Sequence, residues 1–560
     1  MQEPEIYEQP VGITKDLEAP STGDERTYHT GYTGFQTMAT DDSQSEEYRD
    51  FVFPEERKLG IWSTTFLIVN RMVGTGIYST PSAIIQNTDS VGAALLFWVL
   101  GGIMTFWRSG LFVYIEYGTA LPRSGGEKVY LERVYQKPRY LATCIFAVQF
   151  VVFAISSGGA ISFSGYLIKA ATGEPQAGSW LNRGIAVAAV TVVCLIHALL
   201  PRFGIWISNG LGVFKLVLLL LVVFTGFAAL AGRTVVPVPS NFSSFDGAGS
   251  ANGSGNTTLS PDMPGPANTA AGYSLALLQV LYTYSGWENA NYVLTEVRDA
   301  PRTLRRAAPL AVSIITVLYV LANISYFAAM SKSDMANSGL TVASVFFQNV
   351  WGKSTFVTRA LPVLIGLSSL GNVFAQSFAM PRVKQELAKE GILPCSRFWA
   401  SDWPTNAPTG AIFLHWIFTI ALILGSPTSE VYTFVTDIFI YSGNWVKIFL
   451  AIGLLYLTFT PSERWTDHRT TFRNIPILTV FWILSLLFTV SAPFIPTVSF
   501  FATIPFWVVP SLGTSLLAIG TIYWVGWAKL LPAMGYHIQH EIVQLPDGSE
   551  RVKYTVSTPP

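Results

Sequence analysis

Asn70-Arg71-Met72-Val73-Gly74-Thr75-Gly76-Ile77-Tyr78-Ser79-Thr80-Pro81 lies in the middle of the first long apolar run of the chain. Two glycines, a threonine and an arginine at bilayer depth interrupt a segment that otherwise reads as a membrane helix. A second run carries a similar interruption, Tyr282-Thr283-Tyr284-Ser285-Gly286-Trp287-Glu288-Asn289-Ala290-Asn291. Glycine in a membrane helix often serves close packing. A matched pair of interrupted spans in corresponding positions of two repeats points instead to a substrate site. Unwinding frees backbone N–H and C=O groups, which the bilayer tolerates only where something else satisfies them. A zwitterionic amino acid would do so. Its carboxylate would accept from N–H groups at the positive start of the second half-helix, and its ammonium would donate to the freed carbonyls.

The rest of the sequence supports a membrane setting. Half of the 560 residues are hydrophobic and 12% are charged, against roughly 25% charge in soluble domains. A bilayer crossing needs about 20 mostly apolar residues. Twelve segments qualify, at 60–86, 91–121, 139–168, 183–201, 207–231, 272–297, 308–330, 355–380, 409–425, 429–459, 474–493 and 501–531. Stretches 340–352 and 384–404 read as loops with short helices. The interrupted segments are spans one and six, the first members of two five-span repeats. The expected organisation is a disordered acidic tail over 1–58, a twelve-helix domain over 59–531 and a C-terminal tail over 532–560.

Loop charge sets the expected orientation. With the N-terminus in the cytoplasm, inside loops hold 17 basic residues, among them Arg123, Arg202, Arg302, Arg397 and Arg469, and outside loops hold 6. Both termini are then cytoplasmic. The loop between spans five and six falls outside and carries glycan acceptor triplets at Asn241, Asn252 and Asn256. The three cysteines, Cys144, Cys194 and Cys395, have no ligand-like or framework spacing, so neither a zinc site nor a disulfide scaffold is expected. Zero formal net charge gives no reason to expect a nucleic acid partner. No metalloprotease, nucleophile-elbow or phosphate-loop motif is present, so no enzyme activity and no cofactor are expected.

Several motifs together carry a resemblance. Gly74-Thr75-Gly76-Ile77-Tyr78 resembles the helix break of the amino acid–polyamine–organocation superfamily. Glu116-Tyr117-Gly118-Thr119-Ala120-Leu121-Pro122-Arg123-Ser124-Gly125-Gly126-Glu127, Tyr284-Ser285-Gly286-Trp287, Thr295-Glu296-Val297 and Ala388-Lys389-Glu390-Gly391-Ile392-Leu393-Pro394 resemble signatures of its L-type amino acid transporters. The Asn70–Gly76 variant and the acidic tail are similar to fungal methionine permeases. The resemblance implies an all-α polytopic fold: two inverted five-helix repeats plus two helices, with spans one and six unwound. It places the substrate carboxylate on the backbone of Thr75, Gly76 and Ile77 and the ammonium on carbonyls near Met72, Tyr282 and Thr283, with Gly74 also in the substrate site. Ser285 and Gly286 border the site, and Tyr282 stands as an aromatic gate. Ser285 replaces a family glycine. No cysteine lies between spans three and four, so no disulfide-linked heavy chain is expected.

Ionisable groups at membrane depth are expensive and usually functional. Lys215 in span five matches a lysine that, by the resemblance, replaces sodium beside the broken span one. Glu288 is the leading candidate to carry a coupling proton, with a structural ion pair to Arg71 as its alternative. Glu116 is a second apolar-segment carboxylate, with Arg71 and Arg108 as candidate partners. Glu296 is expected to join gate or loop salt bridges with Arg298, Arg302 and Arg305. His197 and His415 read as packing residues. The expected function is uptake of methionine or another neutral amino acid across the plasma membrane, proton-coupled and sodium-independent. The alternatives are a receptor that binds without translocating, or a permease for another organic cation or amine.

Overall fold

The computed structural model describes residues 58–247 except 75, 107–109 and 174–179. It also describes 270–557 except 406, 426–428, 466–474, 495–504, 506, 535–536 and 545–549. The expected tail, apart from Lys58, lies outside these residues. Eight helices are long and apolar enough to cross a bilayer: Val91–Ala120, Leu141–Thr172, Trp180–Leu199, Pro201–Leu230, Ala300–Ala329, Phe356–Lys389, Asp437–Phe459 and Val508–Ala533. Thr409–Gly425 and Pro476–Ser491 are shorter apolar helices. The two interrupted segments complete the twelve spans. Span one is Ile61–Met72 followed by Gly76–Thr88, and span six is Ala270–Thr283 followed by a 3-10 helix, Trp287–Glu296.

The order of packing reflects two repeats. The second half of span one packs on the first half of span six, and the first half of span one on the second half of span six. The two spans therefore run antiparallel. Span two packs on span seven, the second half of span three on span eight, and span four on span nine. Each of these spans thus meets the span five places later. A backbone bridge fixes the polarity: Leu59 N–H donates to Glu296 O at 2.7 Å, and Arg298 N–H donates to Leu59 O at 2.9 Å. The start of span one and the end of span six share one face, called here the amino-terminal face.

The structure corrects several sequence limits. Span five begins at Pro201 and span seven at Ala300, because polar first turns such as Pro301-Arg302-Thr303 extend a helix beyond its apolar core. Span eight runs on to Lys389, so residues 384–389 are helix rather than loop. Span three is itself interrupted, with helices Leu141–Phe153 and Ser157–Thr172 separated at 154–156. The C-terminal tail departs from an all-helical chain. Strands His537–Gln544 and Glu550–Ser557 pair antiparallel with His537 opposite Ser557. Alternating residues such as Val552, Tyr554 and Val556 have the period of a strand, which counting apolar spans does not detect.

Candidate functional site

The break in span one leaves four successive carbonyls without helical partners, and three neighbouring spans supply donors for them. Lys215 of span five, fully buried, donates to Asn70 O at 2.7 Å and Val73 O at 2.5 Å. Asn372 of span eight donates to Arg71 O at 2.8 Å. Tyr319 of span seven donates to Met72 O at 2.9 Å, which also receives Gly74 N–H at 2.9 Å. Each unsatisfied buried carbonyl would cost about 1–3 kcal/mol, so this shell of donors holds the break open. On the other side of the break, Gly76 begins a new helix. Its first N–H groups have no preceding turn to bond.

Span six breaks against span one. Gly286 adopts φ +114°, and a β-carbon there would lie 2.6 Å from Arg71 Cγ and 3.1 Å from the Arg71 carbonyl carbon. A β-carbon on Gly76 would lie 2.9 Å from Thr283 Cγ2. The two glycines therefore allow the breaks to touch on both sides. Thr80 and Thr283 hydroxyls meet at 3.0 Å. Gly286→Ala is expected to cost about 1–3 kcal/mol in backbone strain alone and to displace the Arg71 backbone. Substrate binding should weaken at least tenfold while the protein still reaches the membrane. Equilibrium binding to purified protein checks this, and unchanged affinity would contradict the close approach.

The carbonyl accounting changes the expected ammonium site. Met72 O already receives two donors. Tyr282 O accepts from Ser285 N–H at 3.0 Å and Ser285 Oγ at 2.7 Å. Ser285 thus occupies, with its own N–H and hydroxyl, a carbonyl that the resemblance gives to the substrate. Of that expected trio, Thr283 remains. Thr75 lies outside the described residues, and Ile77 has a fully buried side chain. Tyr282 keeps 37% of its surface accessible although it faces Arg71 and Asp437 of spans one and ten. Arg71, Gly74, Gly76 and Ser285 are half-buried. These residues share an accessible margin along both breaks.

The charged candidates separate. Glu288 accepts Gly286 N–H at 3.0 Å and lies 3.9 Å from Lys447 of span ten. Its ion-pair partner among the described residues is therefore Lys447, not Arg71. Glu116, buried, accepts from Trp465 Nε1 at 2.8 Å, and Arg108 lies outside the described residues. Among the described residues, the ion-pair partner of Glu296 lies far from it in sequence. Glu296 forms a buried two-pronged pair with Arg382 of span eight, Nη2 to Oε2 at 2.9 Å and Nε to Oε1. Sequence proximity misled here because Arg382 is 86 residues away. His197 Nε2 meets Phe374 O at 3.1 Å and His415 Nε2 meets Ser156 Oγ at 3.1 Å. Both rings are buried.

Asn241 is also corrected. It is 1% exposed, and its amide donates to Phe327 O at 2.9 Å and Met330 O at 2.7 Å. An amide nitrogen committed in this way cannot accept a glycan in the folded protein. Asn252 and Asn256 lie outside the described residues.

Twelve spans in paired order, with two helices broken at their point of contact, define a membrane transporter rather than an enzyme. The chain belongs to the amino acid permease family, whose model, described as amino acid permease, matches residues 59–517. It is 33% identical to the high-affinity methionine permease of Saccharomyces cerevisiae, over 98% of this chain and 91% of that protein. It is 28% identical to the low-affinity methionine permease of the same yeast, over 93% and 92%. The human b(0,+)-type amino acid transporter 1 is 26% identical, over 77% and 82%.

Proposed function

We propose that this permease takes up methionine across the plasma membrane by proton-coupled, sodium-independent alternating access, with both termini in the cytoplasm. The observation that carries the reading is the Lys215 ammonium joined to Asn70 O and Val73 O. The lysine amine there satisfies unwound carbonyls that a bound metal cation would otherwise need to satisfy, which supports sodium independence. The methionine carboxylate would accept from the N–H groups of Gly76 and Ile77, with Thr75 between the halves. Its ammonium would approach the Thr283 carbonyl, and Tyr282 would cover it. The similarity to two yeast methionine permeases along nearly the whole chain supports methionine as substrate.

On the amino-terminal face, Glu296–Arg382 and the Leu59–Val297 bridge would form the inner gate. Opening inward would part spans six and eight there. The test uses the full chain in proteoliposomes, with radiolabelled methionine, sodium-free buffer and an imposed inward proton gradient. Concentrative accumulation, blocked when the gradient is collapsed, is expected. Binding without accumulation would instead favour a receptor, and a sodium requirement would contradict the role given to Lys215.

A further inference from the structure

We propose that Glu127 is the site that carries the coupling proton, and that its neutral carboxyl holds the seam between span six and the helix Glu127–Val134 closed. The inference deepens the proton-driven reading above and rests on it. Glu127 is 4% exposed. One carboxyl oxygen, Oε1, accepts from Tyr114 of span two at 2.9 Å and from Tyr292 of span six at 3.1 Å. The other, Oε2, is buried with no hydrogen-bond partner among the described residues. An ionised carboxylate in that position would leave a charged oxygen dry, a far larger penalty than a neutral one incurs.

Among the described residues, no cation forms an ion pair with Glu127. The adjacent Lys128 turns away and pairs with Glu132 at 3.1 Å and with Glu390. Lys447 of span ten is the cation on the Glu127 side, and it stands by Glu288 at 3.9 Å. Glu288 of span six faces Glu127 with a like charge, and Tyr130 of its own helix contributes a further hydroxyl. Burial first, and then Glu288, lift the Glu127 carboxyl to about 7, against the smaller opposing pull of its backbone hydrogen bond, Tyr114 and Lys447. By comparison, Glu288 lies 3.9 Å from Lys447 and accepts the Gly286 N–H.

The seam gives this proton a mechanical consequence. Gly125 N–H donates to Tyr292 O at 3.3 Å, and Ser124 and Thr295 hydroxyls meet at 2.5 Å, so the loop before Glu127 is clamped to the inner half of span six. In the closed seam the carboxyl binds its proton at a raised pKa. Protonation stabilises the closed form fully below the ordinary carboxylate range, and that stabilisation is lost as pH rises through about 7. When span six moves away, water reaches Oε2, the pKa falls back and the proton leaves to cytoplasmic water. The proton bound in the closed seam is taken from outside water by way of the accessible margin of the breaks, past Glu288, so one proton crosses per cycle.

The experiment measures proton entry alongside methionine uptake in proteoliposomes of the full chain with a pH-sensitive dye inside. Glu127→Gln keeps an oxygen for both tyrosines and is permanently neutral. As a permanent stand-in for the protonated carboxyl, it should abolish methionine-driven proton entry and the pH dependence of uptake and should slow methionine exchange, while methionine binding persists. Tyr114→Phe removes a donor that favours the charged carboxylate, so the midpoint of the pH profile should move to higher pH. Wild-type uptake without proton entry would overturn both proton coupling and the role of Glu127. Coupled wild type with equally coupled Glu127→Gln would overturn the role of Glu127 alone. If Glu127→Gln does not fold, the Tyr114→Phe profile decides: an alkaline shift supports the assignment, and an unchanged or acid-shifted midpoint overturns it.

Discussion

Lys215→Met should reduce methionine uptake at least about 100-fold, with no rescue by sodium. The ammonium serves two carbonyls of the break, Asn70 O at 2.7 Å and Val73 O at 2.5 Å. Methionine has a similar stem but no donor. Two buried carbonyls lose their partner at about 1–3 kcal/mol each. The break can relieve that loss by re-forming helix toward Val73, which would erase the site. Arginine should not substitute well. A β-carbon on Gly371 would already lie 2.7 Å from Lys215 Cε, so the channel for this side chain is narrow. Uptake and equilibrium binding should fall together in both variants. Loss of uptake with intact binding would move the role of Lys215 from the site to a later step.

The second large effect is expected at the buried pair. Arg382→Met leaves Glu296 inside the protein with its partner removed, at a cost of about 3–5 kcal/mol. The pair joins the end of span six to span eight, and Arg382 also lies over the Phe378 ring at 3.6 Å. Transport should fall by at least about 100-fold, and a cysteine introduced at the amino-terminal face should become more reactive to an impermeant thiol reagent. Adding Glu296→Gln removes the stranded charge, so the double variant should recover part of the loss. Equal defects in the single and double variants would show that the cost is lost packing rather than an uncompensated charge.

The twelve spans were legible because each needs a long apolar run, and the paired breaks because glycine and polar residues at that depth disturb the run. Lys215 was legible as a lone cation in an apolar helix. Its partners were legible only as freed carbonyls of the broken span one, since nothing local marks Asn70 O and Val73 O as the two it takes. Tyr319 and Asn372 lie 247 and 301 residues from the carbonyls they serve. They are ordinary residues until the helices pack. The interruption of span three, at Ala154-Ile155-Ser156, is followed at once by Ser157-Gly158-Gly159, a small-residue cluster that counting apolar runs passes over. Ser285 stands out in the sequence as a departure from a glycine of the resembled motif, but the bond from its hydroxyl back to Tyr282 O is not encoded there. Glu127 was visible only as the last residue of a motif. Its unpartnered oxygen depends on where Tyr114, Tyr292 and Lys128 end up, which the motif does not encode.

A structure of the full chain with methionine bound tests the central claim most directly. The account predicts the carboxylate within hydrogen-bond distance of Gly76 and Ile77 N–H, and the ammonium directed at Thr283 O. Lys215 should remain on Asn70 O and Val73 O, with no cation between spans one and five. Methionine seated away from the two breaks, or a sodium ion in the place of the Lys215 ammonium, would contradict it.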